Sequence, residues 1–126
     1  MAFKFEKLIV WQKAVDLSET ISQLSKSFPK DEAYVLTSQI RRAADAVSLH
    51  IAEGSGQPNP EFKKLLGTAL RSNLEVVACI FLAKRRGFLK DQDFEKLYKA
   101  CDELAAMING LRKKLSVTKT EAENKS

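Results

Sequence analysis

The chain has one histidine, two cysteines, one tryptophan and three prolines among its 126 residues. The shortages exclude several kinds of chemistry. Di-iron helical bundles need a Glu-x-x-His motif on each of two helices. Here the single His50 stands three residues before Glu53, in the reverse order. That pair supplies at most two ligands of an incomplete site, so neither a metal nor a cofactor is expected. Cys79 and Cys101 have no second pair to make a zinc-type spacing, and both fall inside periodic apolar runs. They read as buried free thiols. No uninterrupted apolar run approaches the roughly 20 residues that span a bilayer. Glu6, Lys7 and Lys13 break the opening stretch where a secretory signal needs an apolar segment. The expectation is a cytoplasmic protein that does not engage a membrane. The serines lack a base with an orienting partner, and the loop "GSGQPNP" lacks the lysine of a phosphate-binding loop. The protein is expected not to be an enzyme.

What is present is helical periodicity. A chain of this length suits one domain that buries about two-thirds of its unfolded surface, and 44% hydrophobic with 29% charged residues is ordinary globular usage. A first helix is predicted from Leu8, Trp11, Val15, Ile21, Leu24 and Phe28, with Pro29 closing it. The second has Asp31 and Glu32 in its first turn, Leu36, Ile40, Ala43, Val47 and Ile51 facing inward, and Gly54 as the residue just past its end. For the third, Asn59 is the expected N-cap and Pro60 the first helical residue, with Phe62, Leu66, Ala69, Asn73, Val77 and Ile80 inward until Gly87. In the fourth, Phe94, Leu97, Cys101, Leu104, Ile108, Leu111 and Leu115 alternate at three and four. Short connections between long amphipathic helices predict an all-α, antiparallel up-down-up-down four-helix bundle over 1–115. Residues 116–126 are expected as a disordered or frayed tail.

Two further patterns bear on function. Val35, Arg42, Ala46 and Leu49 form a second stripe on helix two, and Thr68, Ser72, Glu75, Cys79 and Leu82 a mixed stripe on helix three. Together they are a candidate subunit interface, with Arg42 and Glu75 as a charge pair in or across it; the alternative is a surface with scattered apolar residues. The formal charge is +5. Antiparallel connectivity collects Lys4, Lys7, Lys63, Lys64, Arg112, Lys113 and Lys114 at one end, against Glu6, Glu53 and Glu61. At the other end Lys26, Lys30, Lys84, Arg85, Arg86 and Lys90 are diluted by Asp31, Glu32, Asp91 and Asp93. The first end suits phosphate, and equally suits ordinary solvated helix ends. Glu53 is expected to tie the second hairpin by accepting the free amides at the start of helix three.

The elements Trp-Gln-Lys-Ala (11–14), Phe-Pro-Lys-x-Glu (28–32), Leu-Thr-x-Gln-Ile-Arg-Arg-Ala (36–43) and Ile-Ala-Glu-Gly (51–54) occur in an order and spacing that resembles the four-helix-bundle proteins encoded within 23S ribosomal RNA intervening sequences. His50 stands where that family usually has Asn, Val35 where it often has Gly, and Ala46 and Ser48 where Ser and Pro are frequent. The resemblance implies a homo-oligomer, in particular a homopentamer with a central opening, and marks Arg41, Arg42, Glu53, Ser72 and Glu75 without a catalytic role. The accessory variability proteins of diversity-generating retroelements look similar, which implies nucleic-acid binding and association with a reverse transcriptase. The expected function is binding of RNA or DNA backbone through Arg41, Lys63, Lys64, Arg71, Arg112, Lys113 and Lys114. The alternative is a protein-protein assembly or adaptor module whose charge serves solubility.

Overall fold

The computed structural model describes the backbone of residues 2–125 and the side chains of residues 2–116. A 3-10 turn, Lys4–Lys7, leads into four helices: α1 Ile9–Ser25, α2 Tyr34–Ser55, α3 Asn59–Arg85 and α4 Asp91–Lys125. No strand occurs among the described residues. α2 packs on α3 more extensively than any other pair, while α4 lies against both α3 and α1. The expected tail begins at Ser116, and the side chains of 117–126 lie outside the described residues.

The core is where the periodicity of the last three helices places it. Leu36, Ile40, Ala43, Val47 and Ile51 of α2 are all buried, as are Phe62, Leu66, Ala69, Asn73 and Ile80 of α3 and Phe94 through Ile108 of the α4 stripe. Each large aliphatic side chain fully withdrawn from water contributes about 1.5–3 kcal/mol. On α1 the stripe is rotated from the expected one. Val10, Ala14, Leu17 and Ile21 point inward, whereas Trp11, Val15 and Leu24 are only half-buried. Trp11 is drawn toward the 3-10 turn, its ring 4.8 Å from that of Phe5.

Helix ends depart from expectation in four places. Asp31 and Glu32 precede α2, which starts at Tyr34 after an uncapped Ala33. Asn59 makes no cap, because Pro58 occupies that position and its carbonyl accepts the Phe62 amide at 2.9 Å. Gly54 is inside α2 rather than beyond it, and its lack of a side chain serves packing: a Cβ there would lie 2.8 Å from Phe62 Cδ1 and 3.2 Å from Leu65 Cβ. Glu53 reaches no α3 amide; its carboxylate lies 4.0 Å from His50 Nδ1 on its own helix. Gly87, at φ +79°, does end α3 as expected. The Gly87 amide donates to Lys84 O and the Phe88 amide to Ala83 O, closing a Schellman motif that satisfies carbonyls α3 would otherwise leave free.

Side-chain pairs fix how the helices lie along one another. Arg41 of α2 donates from Nε to Ser25 Oγ of α1, and Ser18 of α1 donates to the Asp45 carboxylate further along α2. Between α3 and α4, Gly67 meets Arg112, Asn73 Nδ2 donates to Cys101 O at 2.9 Å, and Phe81 meets the Phe94 ring at 4.9 Å.

Candidate functional site

The first turns of α3 and the late turns of α4 enclose a groove of about 520 Å³ lined by Lys63, Asn109, Arg112, Lys113 and Ser116. Lys63 is there because Phe62 must point inward against Gly54, which turns its neighbour outward. Arg112 comes one position after Leu111 in the inward stripe of α4, so its guanidinium lies along the seam between the two helices. It crosses α3 where Gly67 leaves room: Nη2, Cζ and Nε lie 3.5, 3.8 and 3.9 Å from the place a Cβ would occupy. The Arg112 Nε is buried and donates to no protein acceptor. The Arg112 side chain thus lies against α3 at Gly67, in a groove that Lys63 and Lys113 also line.

Of the seven expected nucleic-acid contacts, the structure brings Lys63, Arg112 and Lys113 together in this groove. Lys64 follows Lys63 on α3 and Lys114 follows Lys113 on α4, both exposed. Arg71 lies beyond them, its Nη2 donating to Thr68 Oγ1 of the same helix at 3.1 Å. Arg41 does not belong to this site. It is tied to α1 through Ser25 Oγ and Ser22 O, and lines a different groove with Lys26 and Lys30.

The expected interface residues divide similarly. Val35 (73% exposed) and Leu49 (64%) of α2 do stand outward, with Arg42 exposed and Ala46 half-buried beside them. On α3, Glu75 and Leu82 are exposed and Ser72 is half-buried. Cys79 departs from the expected outward stripe: it is buried within the chain. Burial raises its thiol pKa, with the Glu75 carboxylate adding to the effect, and burial alone pushes the Cys101 thiol up to about 12. Both cysteines are unbonded thiols in the core, as the sequence implies. Arg42 and Glu75 form no ion pair with each other within the chain.

A larger apolar face was missed in the sequence. Leu74 (68% exposed), Phe81 (52%) and Tyr98 stand outward. Phe81 makes edge contacts with Phe94 and Tyr98, and the Lys84 ammonium lies 4.4 Å over the Phe94 ring. A shallow groove beside them has Leu70, Leu74 and Val77 as walls, and the buried Asn73 lines it with its Oδ1 unpartnered. The signal lay in α3 as a whole. It is long and apolar enough for a membrane crossing by length and composition, although Arg71 and Glu75 interrupt it and part of it is buried in the core. Leu74 and Phe81 thus leave α3 with apolar side chains outside its core face.

Fold and surface together define a helical-bundle protein with a groove lined by three cationic side chains and with exposed apolar side chains on α3. The chain belongs to the 23S rRNA-intervening sequence protein family, whose model matches residues 6–110. It is also similar in structure to a protein of unknown function from the S23 ribosomal protein family of Bacteroides thetaiotaomicron VPI-5482, with a TM-score of 0.78, 20% sequence identity, and coverage of 83% of this chain and 99% of that one. At that identity the likeness shows the fold. Among curated proteins none matches the chain.

Proposed function

We propose that this protein binds the backbone of RNA or DNA as a homo-oligomer and catalyses no reaction. The observation that carries the reading is the meeting of Lys63, Arg112 and Lys113 in one groove, with a buried Arg112 Nε that no protein atom accepts. Each subunit is an up-down-up-down bundle in this account, supported by the opposed order of the pairs Arg41 to Ser25 and Asp45 to Ser18, and of Gly67 to Arg112 and Phe81 to Phe94. The uncovered apolar faces of α2 and α3 support self-association, and a closed pentamer would repeat the basic groove five times. Weak contacts to phosphate then combine through multivalency. Charge reversal at Lys63, Lys64, Lys113 and Lys114 to Glu is expected to abolish binding while helicity and particle mass stay unchanged; undiminished binding excludes this face.

A second reading is favoured by the exposure of Leu74, Phe81 and Tyr98, which together resemble a docking surface more than a solvated one. In it the protein is an assembly or adaptor module for another protein, such as a reverse transcriptase, and the cations serve solubility. Negligible affinity for nucleic acid in the intact protein would favour this reading.

A further inference from the structure

A second groove shares no lining residue with the site above. It lies between the end of α1, the following turn and the start of α2, and has a volume of about 700 Å³. We propose that it is a second binding site, for a nucleoside phosphate, with Arg41, Lys26 and Lys30 taking the phosphate and Tyr34 the base.

Charge is the first argument. Lys26, Lys30 and Arg41 line the groove, no carboxylate does, and none of the three cations forms an ion pair with an acid among the described residues. Asp31 and Glu32 belong to the same turn but stay outside the lining. Three cations sharing one concavity repel one another, a cost that an anion relieves.

Arg41 supplies the second. Its Nε donates to Ser25 Oγ at 2.8 Å and its Nη2 to Ser22 O at 3.4 Å, so the guanidinium is held across two helices before any ligand arrives. Two of its five N–H donors are thereby engaged and three remain. A planar fork fixed in this way matches the oxygens of a phosphate, and its ordering cost is already met by the fold. Ser25 itself is buried, with its hydroxyl also donating to Ser22 O, so the mount is rigid.

Tyr34 distinguishes a nucleoside phosphate from a bare anion. It is 73% exposed, has no ring partner among the described residues, and stands at the groove beside Thr37 and Ser38. A flat aromatic face next to fixed cations is the arrangement on which a base stacks while its phosphate is held. Thr37 and Ser38 add hydroxyls of the kind that hydrogen-bond a ribose or phosphate oxygen.

The test uses the full-length protein and calorimetric titration at low salt with AMP, adenosine and inorganic phosphate. AMP is expected to bind, with adenosine and inorganic phosphate each at least tenfold weaker. Tyr34→Ala should weaken AMP by about tenfold or more, from the loss of stacking, without changing the affinity for inorganic phosphate. Lys30→Gln, an exposed substitution that breaks no contact, should weaken both AMP and phosphate. Lys63→Glu with Lys113→Glu should leave AMP binding intact, which separates this site from the nucleic-acid groove. Equal affinity for AMP and inorganic phosphate, or indifference of AMP to Tyr34→Ala in a variant of unchanged helicity, overturns the proposal. So does the absence of AMP binding at millimolar concentration.

Discussion

Phe62 and Gly54 are in closer register than any side chain at position 54 permits, with Phe62 Cδ1 2.8 Å from where a Cβ would begin. That contact seats the start of α3 on the end of α2, and so places Lys63 at the rim of the basic groove. Because Phe62 is itself buried and Leu65 Cβ is fixed to its backbone, neither neighbour can yield cheaply. Gly54→Ala is therefore expected to destabilise the fold by about 1–3 kcal/mol from overpacking, against a helix-propensity gain of about 1 kcal/mol. Gly110→Ala, in α4 with nothing within 4 Å of its Cβ, collects only the gain and should stabilise. Thermal unfolding of the two variants checks the sign of each.

The thiols predict a dependence on alkaline pH. The Cys101 pKa is raised in the fold from 9.0 to about 12, and Cys79 is raised as well. The unfolded thiols ionise first, so stability is full below pH 9 and is lost progressively as pH rises from 9 toward 12. Cys101→Ala should be less stable at neutral pH, from the cavity, and should lose less stability than the parent over the alkaline range. Native thiols should also react slowly with a maleimide at pH 8, and rapidly once denaturant opens the core.

The helices were legible in the sequence because the inward stripes of α2 and α4 are continuous and their partners lie on one side. Their ends were less so. Asn59 is a good capping residue by type, yet Pro58 takes the position because the short α2–α3 turn leaves no room for another residue before Phe62 must dock. On α1 the half-buried Trp11 and Leu24 outweighed the smaller Ala14 in the pattern, although it is Ala14 that permits close packing. Connectivity brings Lys63, Arg112 and Lys113 to one groove, whereas Arg41 reaches Ser22 and Ser25 of α1, a contact the sequence does not display. The exposure of Leu74 and Phe81 was hidden by Arg71 and Glu75, which stand among apolar residues in the same stretch of α3.

Self-association makes a distinct prediction. Leu49→Glu on α2 and Leu74→Glu on α3 both alter exposed positions, so each variant should keep its helicity. If these faces join copies of the chain, light scattering will show a multiple of the 14.1 kDa chain mass for the parent and a smaller particle for each variant. A monomeric parent removes the multivalency from the account.

The most direct test is a titration of the intact protein with a structured ribosomal RNA fragment and a matched DNA duplex at several salt concentrations. With about five to eight phosphates engaged, the log-log slope of affinity against salt should be about −4 to −7, using roughly −0.7 to −0.9 per contact. Replacing Lys63 and Lys113 by Glu should make that slope shallower by at least the loss of two contacts, and the ratio of RNA to DNA affinity identifies the preferred strand. Absence of binding at low salt, or a slope that Lys63→Glu and Lys113→Glu leave unchanged, contradicts the assignment of the α3–α4 groove to nucleic acid.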